Sequence, residues 1–112
     1  MSPEAIVRAV FDRVHASDPT VADLYAEDAV RIDQVGRRFE GRAAISGFYT
    51  SIFPTPAPHP VLELLFVNQP FVAALLRRPG VAGEGARYLD LFEVQSGLIQ
   101  TLWVMFEPAG PV

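Results

Sequence analysis

The order of the apolar segments predicts an α+β fold, with three N-terminal helices packed on a curved, mainly antiparallel sheet. Apolar residues recur at helical spacing in the first half of the chain, and four long apolar runs separated by turn residues follow in the second half. The chain has 112 residues and no linker of biased composition, which indicates a single domain over residues 1–112. A strongly curved sheet capped by helices encloses a cone-shaped space, so we expect a cone-shaped α+β barrel.

Three segments of the first half are predicted to be helical. The first opens with Ser2-Pro3-Glu4, which combines a capping side chain, a first-turn proline and an acid at the positive end of the helix dipole. A second, short helix is predicted at 19–25, after the breaker Ser17-Asp18-Pro19. The third is predicted at 43–53, with a helical stripe that consists of Ile45, Phe48, Tyr49 and Ile52.

The remaining segments are predicted to be strands. Two short ones, 29–35 and 37–40, turn about Gly36, and the long ones are 61–67, 71–76, 88–94 and 98–106. The loops between them are predicted at the proline-rich residues 54–60 and the glycine-rich residues 79–85. The long strands are apolar on both faces: in the first, Leu62, Leu64 and Phe66 should share one face, and Val61, Leu65 and Val67 the other. One face should therefore pack on the helices and the other on a second subunit, which predicts a homodimer through the sheet.

Composition and charge exclude several classes of function. A net charge of −4 and a pI near 5.0 argue against nucleic acid or an anionic membrane as a partner. Without cysteine the chain has no disulfide, thiolate nucleophile or cysteine-ligated metal, and neither His15 nor His59 has a further ligand at metal-binding spacing. The N-terminus does not resemble a signal peptide and no apolar run is long enough to span a membrane, so we expect a cytoplasmic protein.

Two acids lie on otherwise apolar strands. Asp33 could act as a base toward a carbon acid or toward water, or it could be a strand-end acid that pairs with Arg31 or caps the Gly36 turn. Asp90 should share a strand face with Tyr88, Phe92 and Val94. Burial would then raise the pKa of Asp90, and its neutral form could donate a hydrogen bond. The alternative is a structural acid bonded to Tyr49, Trp103 or the backbone.

Three stretches of the chain are similar to one known family: LYAEDAVRID, GRRFEGRAAISGFY and YLDLFEVQSGLIQTLWVMF. Together they resemble the nuclear transport factor 2-like superfamily, in the branch of the ketosteroid isomerases and SnoaL-like polyketide cyclases. The resemblance implies that Asp33 is the general base and that a protonated Asp90 belongs to the oxyanion hole. Ketosteroid isomerase is an established example of two carboxyl groups whose pKa values are tuned for such different roles. It also implies that Tyr25 and Tyr49 are supporting tyrosines. The chain departs from this pattern in two places. Val10 and Phe11 replace the oxyanion tyrosine of the first helix, and Arg31 stands where the family is usually apolar.

The function predicted from this resemblance is cofactor-independent proton transfer next to a carbonyl, in an isomerase-like or cyclase-like enzyme. The ligand would be a small hydrophobic molecule in a pocket lined by Tyr25, Phe48, Tyr49, Phe66, Tyr88, Phe92 and Trp103. One alternative is a binding domain that retains the scaffold without catalysis. A second is water addition to an epoxide by Asp33 with Glu63, since epoxide-opening members of the superfamily use paired acids. Arg31 would clamp a carboxylate ligand or form a salt bridge.

Overall fold

The computed structural model describes residues 1–54, 60–78 and 86–106. The predicted loop at 79–85 and residues 55–59 of the predicted loop at 54–60 therefore lie outside the described residues. The helical elements are α1 Pro3–His15, a 3₁₀ helix Pro19–Leu24 and α2 Arg42–Ile52. The strands are β1 Tyr25–Ile32, β2 Arg38–Glu40, β3 Val61–Asn68, β4 Phe71–Arg78, β5 Ala86–Gln95 and β6 Leu98–Phe106.

The strands form one curved six-stranded sheet in the order β2-β1-β6-β5-β4-β3. Only β1 and β6 pair in parallel; the other neighbours are antiparallel, so the prediction of an α+β fold with a mainly antiparallel sheet is confirmed. The short hairpin β1–β2 is joined to the four long strands through the parallel pairing of β1 with β6. This pairing brings residues from the first third of the chain beside residues from the last third.

The prediction of three N-terminal helices is confirmed only in part. α1 begins as expected, because the Oγ of Ser2 accepts a hydrogen bond of 3.1 Å from the backbone N–H of Ala5. The second helix is a short 3₁₀ turn that ends when Tyr25 becomes extended and pairs with Ile99 of β6. α2 follows β1 and β2, as the predicted order of the two short strands and the third helix has it. None of the helices in the described parts of the chain is long and apolar enough to cross a membrane.

The sheet has an inner face, which packs on the helices, and an outer face, on which none of the described helices packs. The inner face is defined by the register that joins Leu76, Ala74 and Val72 of β4 to alternate residues of β5 and β6. With the helices it forms the core, whose largest fully buried side chains include Ile6, Val10, Tyr25, Ile45, Leu76 and Phe92. The outer face runs through the row Phe66, Ala73, Leu91 and Trp103.

The faces predicted for β3 are wrong at its first residues, because the strand carries a bulge. Leu62 pairs with Leu76, whereas Leu64 pairs with Leu75, so the register shifts at Glu63. A bulge inserts one extra residue and reverses the alternation of side chains beyond it. Leu62 consequently packs against the inner core, while Leu64, expected beside it, lies on the outer face and is exposed.

Candidate functional site

Asp90 lies in the middle of β5, on the inner face of the sheet. Its cross-strand neighbours are Ala74 of β4 and Val104 of β6, neither of which can hydrogen-bond a carboxyl through its side chain. Asp90 is 7% exposed, and among the described residues its buried Oδ1 has no hydrogen-bond partner. Burial raises the pKa of Asp90 from 3.8 to about 7, and the positive charge of Arg31 opposes that rise only in part.

Arg31 brings a cation to the same face. On β1 it pairs with Phe39 of β2 and with Leu102 of β6, which belongs to the buried core. Its Cζ lies 3.7 Å from the ring centroid of Phe48, at the distance of a cation–π contact. The Nη1 atom of Arg31 is buried and, among the described residues, has no hydrogen-bond partner.

The geometry of the sheet explains how Arg31 and Asp90 influence each other. β6 lies between β1 and β5, so two strand spacings, about 10 Å in total, separate β1 from β5. Arg31 pairs with Leu102 of β6 and Asp90 with Val104, so the two residues are also offset by two positions along the strands. The positive charge of Arg31 nevertheless lowers the pKa of Asp90. Within the described part of the chain, however, no ion pair joins the two groups. A half-buried arginine with a buried Nη1 and a buried carboxyl therefore lie on one face of the sheet without pairing.

Two tyrosines complete the polar lining of this region. The hydroxyls of Tyr25 and Tyr49 lie 2.7 Å apart and share one hydrogen bond. Burial raises the pKa of Tyr49 to about 12 and that of Tyr25 well above its ordinary value, so both are neutral near physiological pH. A pair of hydroxyls that shares one hydrogen bond keeps one further proton to donate. Tyr88, two residues before Asp90 on β5, also has its pKa raised, mainly by burial and then by the charge of Asp90.

Asp33 lies in a different environment from Asp90. The residue is 6% exposed, and its Oδ1 accepts the backbone N–H groups of Val35 at 3.0 Å and Arg37 at 2.8 Å. Its Oδ2 forms a 2.7 Å ion pair with the Nε of Arg37, and this bond, as the largest cause, lowers the pKa of Asp33. The turn also contains Gly36, whose φ of 85° favours glycine. Of the interpretations that the sequence left open, this arrangement favours an acid that stabilises the Gly36 turn.

Glu63 lies far from Asp33, the acid with which it was predicted to open an epoxide. It lies at the bulge of β3, the last strand of the sheet, whereas Asp33 follows β1 at the other end of the strand order. Its carboxylate pairs with Arg87 at 2.9 Å and with Arg77 at 3.5 Å, and chiefly the bond with Arg87 lowers its pKa. The structure does not bring Asp33 and Glu63 together, so the paired-acid hypothesis is not retained.

The aromatic residues predicted to line one pocket divide between the two faces. Phe48, Tyr49, Tyr25, Phe92 and Tyr88 belong to the inner core or pack against it. Phe66 and Trp103 lie in the outer row, on the other side of the sheet from Asp90, so the prediction that all seven gather around one cavity is corrected. The reason is the two-residue period of strands: Trp103 is next to Leu102 and Val104, which both point inward. Trp103 instead approaches Phe71 of the same face, with 6.5 Å between ring centroids.

Two neighbours of these groups were not singled out from the sequence. Arg37 holds Asp33, and its position four residues later, across the Gly36 turn, could have suggested the pair. Phe39 lies 5.4 Å from the Cζ of Arg31 and 5.2 Å from the ring of Phe48. Its contact with Arg31 follows from a cross-strand pairing, and a sequence shows that pairing only once the hairpin register is known.

The interior region offers the groups that proton transfer requires but no evident metal site. A carboxyl with a pKa near 7 can accept or donate a proton at neutral pH, and a guanidinium and a tyrosine hydroxyl can hold an oxygen that becomes negative. On α1, Val10 and Phe11 are buried and supply no donor of their own, and Phe11 packs edge-on against Phe92. In the ranges that the structure describes, no cluster of three acid or histidine side chains could hold a metal ion.

Comparison with known proteins identifies the family. A family model described as a SnoaL-like domain matches residues 7–101. A nuclear transport factor 2-like protein of unknown function from Mesorhizobium loti is 26% identical, with a TM-score of 0.83 over 95% of this chain and 91% of that chain. A second one, from Cytophaga hutchinsonii, is 15% identical, with a TM-score of 0.81 over 96% of this chain and 92% of that chain.

A third structure has a ketosteroid isomerase-like fold and was solved in complex with trimethylamine. This hypothetical protein from Catenulispora acidiphila is 17% identical, with a TM-score of 0.73 over 91% of this chain and 85% of that chain. No curated protein matches the chain. The similar structures establish the fold, and the family model, which covers most of the chain, agrees with the resemblance seen in the sequence. The chain therefore belongs to the SnoaL-like domain family of the nuclear transport factor 2-like superfamily.

Proposed function

We propose that this protein is a cofactor-independent enzyme that moves a proton at a carbon next to a carbonyl, and that Asp90 carries the proton. The observation that supports this most directly is the presence of two buried polar atoms without described partners, Asp90 Oδ1 and Arg31 Nη1, on one face of the sheet. Unpartnered buried polar groups are rare in proteins and costly. A bound molecule that contacts both would remove that cost.

The reaction uses groups that the chain itself supplies. Ionised Asp90 takes a proton from the carbon next to the carbonyl, and the electron pair of the C–H bond moves to make an enolate. Arg31 and one hydroxyl of the pair Tyr25–Tyr49 stabilise the enolate oxygen. Asp90, now protonated, can deliver the proton to a conjugated carbon, which gives isomerisation. If the proton on Asp90 is first replaced by one from solvent and then delivered to the original carbon, the result is hydrogen exchange.

Asp90 suits this role better than Asp33. The carboxylate of Asp33 accepts three hydrogen bonds from its own turn, which lower its pKa and its strength as a base. The Oδ1 of Asp90 has no partner among the described residues, and its pKa of about 7 is close to the value at which a general base works best at neutral pH. The proposal thus assigns to Asp90 the base that the family resemblance placed at Asp33.

The test is exchange of carbon-bound hydrogen, which does not require the natural substrate. 2-Tetralone and a β,γ-unsaturated ketosteroid are incubated with the protein in D₂O, and mass spectrometry measures deuterium at the activated carbon. We expect exchange above the buffer rate with wild type and with Asp33→Asn, and its loss with Asp90→Asn. Equal rates for wild type and Asp90→Asn would refute the role of Asp90. Loss with Asp33→Asn alone, in a folded variant, would return the base to Asp33.

The second candidate is a binding domain without catalysis. It is favoured by Val10 and Phe11, which fill the part of α1 where the resemblance leads one to expect the oxyanion tyrosine. Loss of one oxyanion donor commonly slows a reaction about 100- to 1,000-fold. Saturable binding of 2-tetralone with no exchange above background would support this candidate.

We also propose that the protein forms a homodimer through the outer face. This face exposes large apolar side chains, among them Phe66 at 59% and Met105 at 44%. Contiguous apolar surface of this kind is typical of an interface. A stable dimer should bury at least about 1,200 Å² in total, which the outer rows of the four long strands can provide.

A further inference from the structure

We propose that the ligand of the interior region is a small planar monocarboxylate, whose carboxylate is bound by Arg31 and approaches protonated Asp90. This inference rests on the site of the proposed function and adds the chemical class of the molecule that occupies it. It starts from the juxtaposition of two interior groups, Arg31 Nη1 and Asp90 Oδ1, that hydrogen-bond to no described residue.

The guanidinium of Arg31 limits what can bind it. Its face is covered by the ring of Phe48, at 3.7 Å, and Phe39 lies beside it at 5.4 Å. The remaining N–H groups donate in the plane of the guanidinium, where a carboxylate accepts two parallel hydrogen bonds. A neutral carbonyl can accept a hydrogen bond from this cation, whereas a carboxylate accepts two and also balances its charge.

Among the described residues, no carboxylate forms an ion pair with Arg31. The groups that face the same region are Asp90 from β5, the neutral hydroxyls of Tyr25 from β1 and Tyr49 from α2, and Tyr88 from β5. The buried residues of α1 on this side are all apolar. A ligand carboxylate is therefore the natural counter-ion of Arg31, and the aromatic rings nearby favour a flat apolar body.

Asp90 gives this binding a dependence on pH. An anion held by Arg31 is repelled by ionised Asp90 and accepts a hydrogen bond from neutral Asp90. Binding should therefore be tighter when Asp90 is protonated. Catalysis has the opposite requirement, because abstraction of a proton needs ionised Asp90. The two pH slopes thus differ in sign, which separates the ligand class from the proposed reaction.

The experiment compares 2-naphthoate, which stays ionised across the pH range used, with its uncharged analogue 2-naphthamide. Isothermal titration calorimetry with the full chain measures both at about pH 5.5 and pH 8.5. We expect 2-naphthoate to bind roughly tenfold more tightly at the lower pH, as for two like charges within a protein site. The affinity for 2-naphthamide should stay the same at the two pH values.

Variants assign the effect to residues. Arg31→Met should weaken 2-naphthoate binding by about tenfold or more, in keeping with loss of charge-assisted hydrogen bonds, and Arg31→Lys should fall between it and wild type. Arg38→Met is the matched control, because Arg38 lies on neighbouring β2 but is exposed and pairs with Glu40. Asp90→Asn should retain 2-naphthoate binding and lose its dependence on pH. Circular dichroism establishes that each variant is folded.

Several results would overturn the inference. They are equal affinity for acid and amide, unchanged 2-naphthoate binding in Arg31→Met or Arg31→Lys, and a pH dependence that persists in Asp90→Asn. If Arg31→Met does not fold, 2-naphthoate binding by Arg31→Lys and the pH dependence of binding by wild type still test the inference. Absence of hydrogen exchange with intact acid-selective binding would refute the proposed reaction and leave this inference standing. Hydrogen exchange that depends on Asp90, without acid-selective binding, would refute this inference and leave the proposed reaction standing.

Discussion

The inner and outer faces of the sheet contain similar apolar side chains but differ in what covers them. Phe92 on the inner face is fully buried beneath α1, whereas Phe66 on the outer face is 59% exposed. The polar groups of the two faces also differ. On the inner face, Asp90 and Arg31 each have a buried atom without a hydrogen-bond partner among the described residues. On the outer face, Thr101 donates a 2.9 Å hydrogen bond to Glu93.

This difference shows which side of the sheet can carry reactive groups. An acid on the covered face is removed from solvent, so its pKa rises and its protonation state changes with pH near neutrality. On the uncovered face the same strands present aromatic surface that suits association with another protein. One sheet can therefore serve as the wall of a reactive site on one side and as an interface on the other.

The comparison is tested most strongly by removing one aromatic ring from each face. Phe92→Ala should lower the free energy of unfolding by about 3–5 kcal/mol, because it leaves a cavity in the core. Phe66→Ala should change that of the monomer by less than about 0.5 kcal/mol. Urea unfolding at low protein concentration measures both. Similar losses in the two variants would mean that the outer face is also part of a packed core.

The second prediction concerns the pH dependence of stability. Because the folded-state pKa of Asp90 is raised from 3.8 to about 7, the folded protein binds this proton more tightly than the unfolded chain. Stability from this group is complete below pH 4 and is lost as pH rises through about 7, a total of about 4 kcal/mol.

Asp90→Asn should remove this contribution, so that the variant gains stability relative to wild type as pH increases from about 4 to 8. Denaturant unfolding at a series of pH values measures the difference between the two proteins. Parallel curves would show that Asp90 is not a desolvated carboxyl.

The third prediction concerns the tyrosine pair of the interior. Tyr49→Phe leaves the fully buried hydroxyl of Tyr25 without its partner and should destabilise the protein by about 1–3 kcal/mol. The double variant Tyr25→Phe/Tyr49→Phe should cost less than the sum of the single changes, because both polar groups are then gone. Additive losses in thermal unfolding would argue that the two hydroxyls do not depend on each other.

The smallest effect on folding, and the test of the outer face, comes from a surface substitution. Phe66→Asp should leave the fold of the monomer intact but convert a dimer to monomer, since a charge at the centre of an apolar interface remains unpaired. Sedimentation at micromolar protein measures the change. Val35→Asp is the control, because Val35 is an exposed apolar residue of the Gly36 turn. A monomeric wild type would contradict the proposed interface.

Much of the architecture could be predicted because it depends on local patterns. The capping residues of α1 and its stripe of buried side chains follow from spacing and from Ser2-Pro3-Glu4, and the structure confirms both. The long strands were located within a few residues of their observed bounds. Turn glycines and prolines separate these elements in the sequence itself, so no knowledge of distant contacts was needed.

The candidate site could be predicted only in part, because its contacts join distant segments. That Asp90 shares a face with Tyr88 and Phe92 follows from the two-residue period of one strand, and the structure places them so. That Asp33 pairs with Arg37 rather than Arg31 depends on where β1 ends, and that Phe66 and Trp103 point outward depends on which side the helices cover.

The sequence by itself determined the elements, their order and the acids that strands would carry. Only the tertiary structure decided which acid became chemically unusual. Asp33 directly follows β1 and Asp90 lies within β5. They are the same residue type, yet Asp33 accepts three hydrogen bonds from its own turn, and Asp90 lies among apolar side chains with Arg31 nearby. The physical reason is that the pKa of a carboxyl depends on its solvation and on the charges around it, and both are set by the parallel pairing of β1 with β6 and by the packing of the helices on one face.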